Sequence, residues 1–235
     1  MFSVPFLNGS RAILTGCGKE ECEMEKYIEM RGRYNIACYR IDIDSDMREI
    51  ALKFAKDIIL SGNQYSRLLP EQVRNSNDIS MQKKIEIQRT YIGKLGELVF
   101  VKFLEESGKA VNTDGMLEVY EGQDNVDPYD FMTLRGHSVD VKTGFRNIHT
   151  RLLVNVEQFY NIPKDYYAAV KIEAADTDSG QKLVDWESIN QASILGYAER
   201  NYMEGHAQVR DFGEGDAKWL FYNKLLGIDS LLNEF

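Results

Sequence analysis

The stretch "DPYDFMTLRGHSVDVKTG", residues 127–144, contains two short apolar runs on either side of a glycine-containing turn. Residues 129–134 and 138–143 are rich in β-branched or aromatic side chains, and "LRGH" between them is short. The pattern predicts an antiparallel β-hairpin. Because side chains alternate across a strand, Asp140 and Lys142 share one face of the second strand and the valines face the other way.

The predicted hairpin brings Asp130 back beside Asp140, so that two carboxylates meet near the ammonium of Lys142. Like charges a few ångströms apart repel, and a shared proton or a divalent cation relieves that repulsion. Hard oxygen ligands favour magnesium or manganese over zinc. The alternative interpretation is a surface hairpin with a cross-strand ion pair, worth about 0–1 kcal/mol.

A second acidic residue of interest, Glu97, lies inside the strongly apolar run "YIGKLGELVFVKFLEESG". Residues 81–106 have helical periodicity, and the neighbours of Glu97 at helical spacing are mostly apolar. Its carboxylate therefore points towards the interior, where an ionised group needs a partner. Gly93 and Gly96 each weaken the helix by about 1 kcal/mol relative to alanine, which predicts that another chain segment approaches closely there.

An acid in a helix, an acid at the start of a strand and Asp140-Val141-Lys142 in the next strand together resemble the PD-(D/E)XK nucleases, the restriction-endonuclease-like superfamily. The resemblance extends over about residues 89–172 and implies an αβββαβ core. It further implies that Asp130 and Asp140 bind Mg²⁺, with Mn²⁺ as a substitute, helped by the Val141 carbonyl. Lys142 would assist the attacking water, and Glu97 would complete or order the metal shell.

Two features depart from the family pattern. Tyr129 stands where the family has proline, which here lies one position earlier, and Asp140 replaces the commoner glutamate. Asp127 and Asp124 remain alternatives to Asp130 as the first acid.

The rest of the chain predicts an α/β or α+β fold with a central mixed sheet flanked by helices. We divide the sequence into a partly helical N-terminal region, 1–80, which could recognise DNA or dimerise, and a nuclease-like core with C-terminal helices, 81–235. Residues 45–60 are expected to form an amphipathic helix capped by Ser45 or Asp46. Further helices are expected at 19–30, 186–203 and 216–232, and further strands at 116–120 and 166–173.

Composition limits the functional classes. The chain has 235 residues, is 43% hydrophobic and carries a net charge of −9. No run approaches the roughly 20 apolar residues of a membrane helix, and the N-terminus lacks the plan of a signal peptide, so we expect a cytoplasmic protein. The negative charge disfavours coating of nucleic acid by bulk attraction, although a local basic groove remains compatible with it.

Other residues that could carry chemistry have simpler interpretations. The odd number of cysteines, all within the first forty residues, favours reduced thiols over disulfides or zinc. His137 and His149 are expected at the surface. Gln158 follows Lys142 where some exonuclease-like members have a glutamine, but the tyrosine spacing that accompanies it there is not reproduced.

These observations predict a Mg²⁺-dependent endonuclease that acts on double-stranded DNA. The candidates for phosphate contacts are basic residues near the motif: Lys83, Lys84, Arg89, Lys94, Arg146 and Arg151. A free-standing nuclease of this size resembles type II restriction enzymes, in which a homodimer makes both nicks; a repair, phage or mobile-element nuclease is equally compatible. The alternatives are a nuclease-like fold that binds nucleic acid or protein without cutting, and a nuclease acting on RNA.

Overall fold

The computed structural model describes residues 24–60, 69, 71–119, 129–175, 183–213 and 215–235. The strands in these ranges are β1 Glu25–Arg31, β2 Tyr34–Asp42, β3 Phe131–Met132, β4 Ser138–Gly144, β5 Arg151–Asn155, β6 Tyr166–Glu173, β7 Gln191–Glu199, β8 Gln208–Asp211 and β9 Asp216–Phe221. The α-helices are α1 Ser45–Leu60, α2 Glu71–Arg74, α3 Ile79–Glu106, α4 Val156–Asn161, α5 Arg200–His206 and α6 Ile228–Leu232. A 3₁₀ turn, Tyr222–Lys224, follows β9.

Two sheets organise these elements into a mixed α+β fold. The six-stranded sheet has the order β1-β2-β7-β6-β4-β3. Its strands pair antiparallel except for β4 and β6, which are parallel. The second sheet is antiparallel and has the order β5-β9-β8. The central mixed sheet flanked by helices is therefore confirmed.

The alternating side chains of β6 divide the interior into two clusters. Ala168 and Val170 belong to the larger one, which includes the apolar sides of α1, α3 and α6. Tyr167 and Ala169 point the other way, into a cluster with the inner side of the three-stranded sheet and with α4 and α5. The large sheet is thus covered on both faces, which accounts for the continuous apolar runs of its central strands.

The two long predicted helices are confirmed, with one correction to a cap. The helix at 45–60 begins at Ser45, but neither Ser45 nor Asp46 accepts its first free amide: Met47 N donates to Asp44 Oδ1 at 2.9 Å. An Asp at the N-cap position can accept a hydrogen bond from a free backbone amide of the first helical turn, while its own backbone remains in an extended conformation. The helix predicted at 81–106 starts at Ile79 and ends at Glu106 as expected.

The predicted hairpin also forms, with a shorter first strand. Phe131 pairs with Val139 and Met132 with Ser138, and Gly136 provides the turn with φ of +80°. The β-structure stops at Met132 because Thr133 already turns, its amide bonding to His137 O at 2.9 Å. Strand Tyr166–Glu173 is confirmed in full.

Several expectations at the ends of the chain are wrong. The helix expected at 19–30 is a strand from Glu25, and the described part of the strand expected at 116–120 is turn and coil. The long helix expected at 186–203 is mostly β7. Residues 192–198 of β7 are all buried, so the strand shows no period-2 alternation that would distinguish it from a buried helix. In the tail expected to be helical at 216–232, the first part is β9.

The large sheet continues across the boundary drawn at residue 80. Strand β2 pairs with β7, and α1 packs on α3, so residues 25–60 share a sheet and a core with the hairpin. No helix among the described residues is long and apolar enough to cross a membrane.

The contact between α3 and β4 depends on Gly96. A Cβ atom at this position would overlap Thr143 Oγ1 and lie 2.9 Å from Thr143 Cβ. The close approach predicted from the helix glycines is therefore present at Gly96, and it holds the apolar face of β4 against α3.

We expect Gly96→Ala to lower the free energy of unfolding by about 1–3 kcal/mol, because overpacking outweighs the gain in helix propensity. Chemical denaturation measures the change. Gly205→Ala in α5 is the matched control, since nothing lies within 4 Å of its added Cβ; it should be neutral or stabilising. Equal effects at the two positions would contradict the packing argument.

Candidate active site

The β-hairpin places Asp130 directly beside Asp140. Asp130 N donates to Val139 O at 3.1 Å, which continues the β3–β4 ladder by one residue. The side chain turns back on the same strand, where Asp130 Oδ2 accepts the Val141 amide at 2.6 Å. The hairpin register that sequence alone left open is thereby determined.

Lys142 lies on the same face of β4 and contacts two side chains. Its Nζ is 2.6 Å from Asp140 Oδ2 and donates to Gln158 Oε1 at 2.9 Å. Asp140 is 5% exposed, and its Oδ2 receives no aligned hydrogen bond. Lys142 therefore balances the charge of this buried oxygen at the distance of a charge-assisted hydrogen bond.

The carboxylate of Asp130 is held in an unfavourable electrostatic environment. Burial, followed by the negative charges of Glu97 and Asp140, raises the pKa of Asp130 well above its usual range. Lys142 and the Val141 amide oppose the shift but do not cancel it. The structure thus brings the four residues predicted for the site into one electrostatic group.

Glu97 reaches this group from α3 and has a close partner of its own. Lys94 Nζ lies 2.5 Å from Glu97 Oε2 and also donates to Met116 O at 2.8 Å. Lys94 further lies over the Phe54 ring, 4.5 Å from its centroid. The carboxylate that the sequence analysis expected to need a partner is therefore paired with a buried lysine.

The chemistry of the site fits a hard divalent cation. Repulsion among Asp130, Asp140 and Glu97, and the buried Asp140 oxygen without an aligned donor, are the conditions that such a cation relieves. Within the described ranges, no three acidic, histidine or cysteine side chains are already grouped as a metal cluster. Glu97 is turned to Lys94, so the two aspartates are the nearest to a preformed ligand pair.

Gln158 has a larger part in the site than the sequence indicated. It lies in α4, which Asn155 caps by accepting the Gln158 amide at 3.1 Å. This cap fixes the start of the helix, and the Gln158 side chain then reaches Lys142. The sequence indicated Gln158 through its position downstream of Lys142. The packing that brings Gln158 of α4 into contact with Lys142 could not be predicted from sequence.

Lys164 is a second lysine near the site, and no sequence pattern indicated it. It is 4% exposed, and its Nζ donates to Ile162 O at 2.6 Å. Burial lowers the pKa of Lys164 and the Lys142 charge adds to this, while Asp140 and Asp130 act in the opposite direction. Because β6 runs parallel to β4, residues just before Tyr166 lie beside the start of β4.

The predicted phosphate contacts lie on several elements. Lys83, Lys84 and Arg89 are in the first half of α3, and Lys83 pairs with Glu86 at 2.9 Å. Lys94 is buried against Glu97, which draws it away from solvent. Two arginines follow β4 along the chain: Arg146 in the β4–β5 connection and Arg151 at the start of β5.

The remaining residues considered from sequence have structural contacts. His137 Nδ1 lies 3.0 Å from Glu234 Oε2, and His149 Nδ1 accepts the Phe145 amide at 3.2 Å. Cys38 is a buried free thiol, and burial raises its pKa to about 11. Asp124 and Asp127, like Cys17 and Cys22, lie outside the described residues.

Comparison of the chain with protein-family models, curated proteins and solved structures found no match.

The raised pKa of Asp130 predicts that Asp130→Asn increases thermal stability at high pH and less so at low pH. A carboxyl group whose pKa is raised by folding stabilises the fold below its unfolded pKa, and that stability is lost as pH rises through the folded value. We therefore expect Asp130→Asn to raise the Tm in the presence of chelator at pH 8, with the difference from wild type shrinking towards pH 4.

Asp165→Asn is the control of opposite sign. Partial burial raises the pKa of Asp165, but hydrogen bonds from Ser138 N and Oγ, each 2.8 Å, outweigh it and lower the pKa. This variant should lose Tm at neutral pH, and the deficit should shrink as the carboxylate titrates in acid. The same pH trend in both variants would contradict the environment described for Asp130.

Proposed function

We propose that the protein is a Mg²⁺-dependent nuclease of the PD-(D/E)XK type that hydrolyses phosphodiester bonds in DNA. The observation that carries the proposal is the juxtaposition of Asp130, Asp140 and Lys142, with the Lys142 ammonium 2.6 Å from Asp140. A cross-strand ion pair at the surface, the alternative considered from sequence, would be solvated, whereas Asp140 is buried. A buried, mutually repelling acid pair beside a lysine is better explained by chemistry than by stability.

The order of elements supports the same assignment. From α3 to β6 the described residues, which leave out 120–128, form a helix, three strands, a helix and a strand; this is the αβββαβ order that the resemblance implies. The hairpin β3–β4 carries the two aspartates, and α3 carries Glu97 as expected. One feature departs from a single-sheet core: β5, the third strand, pairs with β9 in the second sheet.

In the proposed site Asp130 and Asp140 hold Mg²⁺, with the Val141 carbonyl as a further ligand. When bound, the cation supplies charge neutralisation at the phosphate and makes a water molecule more acidic. Glu97 orders the shell, and its availability depends on how tightly Lys94 retains it. These assignments use the chemistry of the side chains, and Mn²⁺ satisfies the same oxygen ligands.

Lys142 and Gln158 act on the attacking water and the phosphate. The Lys142 ammonium can hold a water molecule or a non-bridging phosphate oxygen by a charge-assisted hydrogen bond. Gln158 accepts one of its three protons and so orients the ammonium. The backbone amide of Gln158 donates to the Asn155 side chain, which caps α4. Gln158 therefore connects Lys142 to the start of α4.

Cleavage of supercoiled plasmid tests the proposal. We expect wild type to nick or linearise the plasmid with Mg²⁺ or Mn²⁺ and not with chelator, and Lys142→Ala and Asp140→Asn to lose about 10²- to 10⁴-fold in rate. Lys53→Ala is the matched control, because the Lys53 side chain is 79% exposed on α1 and pairs along the helix with Asp57. It should cut at the wild-type rate.

The other arms of this assay separate the competing functions. Metal-dependent cutting that survives both site substitutions would assign the activity to another centre. A folded protein that binds duplex across metals but never cuts would be a binding module. Preferential cleavage of RNA over DNA would retain the site and change the substrate.

A further inference from the structure

The three-stranded sheet has an outer face that the core does not use. Its inner side chains, Leu152 and Val154 of β5 and Leu220 of β9, are buried in the second cluster. The side chains between them point outwards. We define this aromatic face by five residues on β5, on β9 and directly after β8: Arg151, Leu153, Phe212, Trp219 and Phe221.

The aromatic face is built around one guanidinium. The Arg151 group lies over three rings, 4.8 Å from the centroid of Phe221, 4.9 Å from Trp219 and 5.8 Å from Phe212. Register explains this position, because Arg151 pairs with Phe221 and Leu153 with Trp219 across the two strands. Arg151 Nε and Trp219 Nε1 are both buried, and neither has a hydrogen-bond partner in the part of the chain that the structure describes.

Much of this face remains open to solvent. Phe221 is 40%, Leu153 38% and Phe212 37% exposed. Exposed aromatic residues grouped around a cation are unusual at a surface without a ligand, since isolated exposed apolar residues are common but contiguous patches are not.

The charge at the centre limits what can bind there. An aromatic cage for a cationic ligand must have a vacant centre, whereas here Arg151 fills it and repels further cations. Arg210 adds a second guanidinium 5.5 Å from the centroid of Phe212. Among the described residues, the acids of the β8–β9 turn are Asp211 and Asp216, and Asp211 Oδ1 accepts the amides of Gly213 and Gly215.

A ligand suited to this face carries both a flat π surface and negative charge. Unpaired nucleotides have both, since their bases stack on aromatic rings and guanidinium planes and their phosphates pair with arginine. A base inside a duplex is already stacked and paired, so its π face is not available. An acidic peptide would match the charge but would leave the rings without stacking partners.

We propose that the aromatic face binds unpaired nucleotides of the nucleic acid that is cut at the site. This inference rests on the proposed nuclease function and specifies its substrate as one with a single-stranded segment. The face is connected to the site through short, ordered elements: β5 extends about 13 Å from Arg151 to Asn155, Asn155 caps α4, and Gln158 of α4 contacts Lys142.

Equilibrium binding in chelator, where no cleavage can occur, tests the face separately from the chemistry. Fluorescence anisotropy with labelled dT15 and rU15 should show binding to wild type. Phe221→Ala should weaken it by about 5- to 100-fold through loss of one stacking partner. Arg151→Gln should reduce the slope of log K against log salt by about 0.7.

Two further variants protect the test against misfolding. Phe221→Leu keeps an apolar side chain on the strand but removes the π surface, so it should lose binding while retaining the wild-type Tm. Tyr34→Ala removes an aromatic ring that is 73% exposed on the β1–β2 hairpin, away from the face, and should bind as wild type. In Trp186→Phe, where Trp219 is the remaining tryptophan, dT15 should quench the fluorescence.

The outcomes distinguish this inference from the proposed function. Unchanged binding in Phe221→Leu and Arg151→Gln would overturn the assignment of the face. So would stronger competition by unlabelled duplex or by polyglutamate than by dT15. Normal binding at the face by a protein that never cuts plasmid would instead leave the face assigned and reject the nuclease; a preference between dT15 and rU15 identifies the sugar.

Discussion

The structure depends on β4 keeping its two faces in different environments. Val139 and Val141 pack into the core under α3, while Asp140 and Lys142 face the opposite side. A shift of one residue in register would exchange the two sets and bury both charges among apolar side chains. Parallel pairing with β6 and the Gly96–Thr143 contact hold the strand where this exchange cannot occur.

The polar face of β4 brings negatively charged side chains close together inside the fold. Asp130 and Asp140 are adjacent because of the hairpin, and Glu97 adds a third negative charge from α3. Two close ion pairs, Asp140–Lys142 and Glu97–Lys94, and one backbone bond, from Val141 to Asp130, compensate only part of the repulsion. In natural proteins, arrangements that lower stability occur mainly at functional sites. The repulsion among these carboxylates therefore supports the proposed site.

The two sheets differ in how they are covered by the rest of the fold. The large sheet is covered by α1 and α3 on one face and by the small sheet on the other, which makes its central strands apolar throughout. The described residues cover the small sheet on one face, and several side chains on its outer face are exposed. Helix α4 follows β5 directly, and its Gln158 contacts Lys142. A short, ordered segment therefore joins the small sheet to the proposed centre.

Sequence by itself determined the elements with clear local signals. The amphipathic helix at Ser45–Leu60, the long helix α3, the hairpin turn at Gly136 and the shared face of Asp140 and Lys142 all follow from periodicity and turn chemistry. The close approach at a helix glycine was likewise readable, because glycine inside a helix needs a packing reason.

Tertiary structure decided the rest, for a physical reason in each case. Strand β7 is buried on both faces, so its sequence lacks the alternation that marks a strand. The pairing of Glu97 with Lys94, the contact of Gln158 with Lys142 and the burial of Lys164 depend on which segments the sheet order brings together. The aromatic face exists only because β5 and β9 pair in one register, which aligns Arg151 with rings some seventy residues further along the chain.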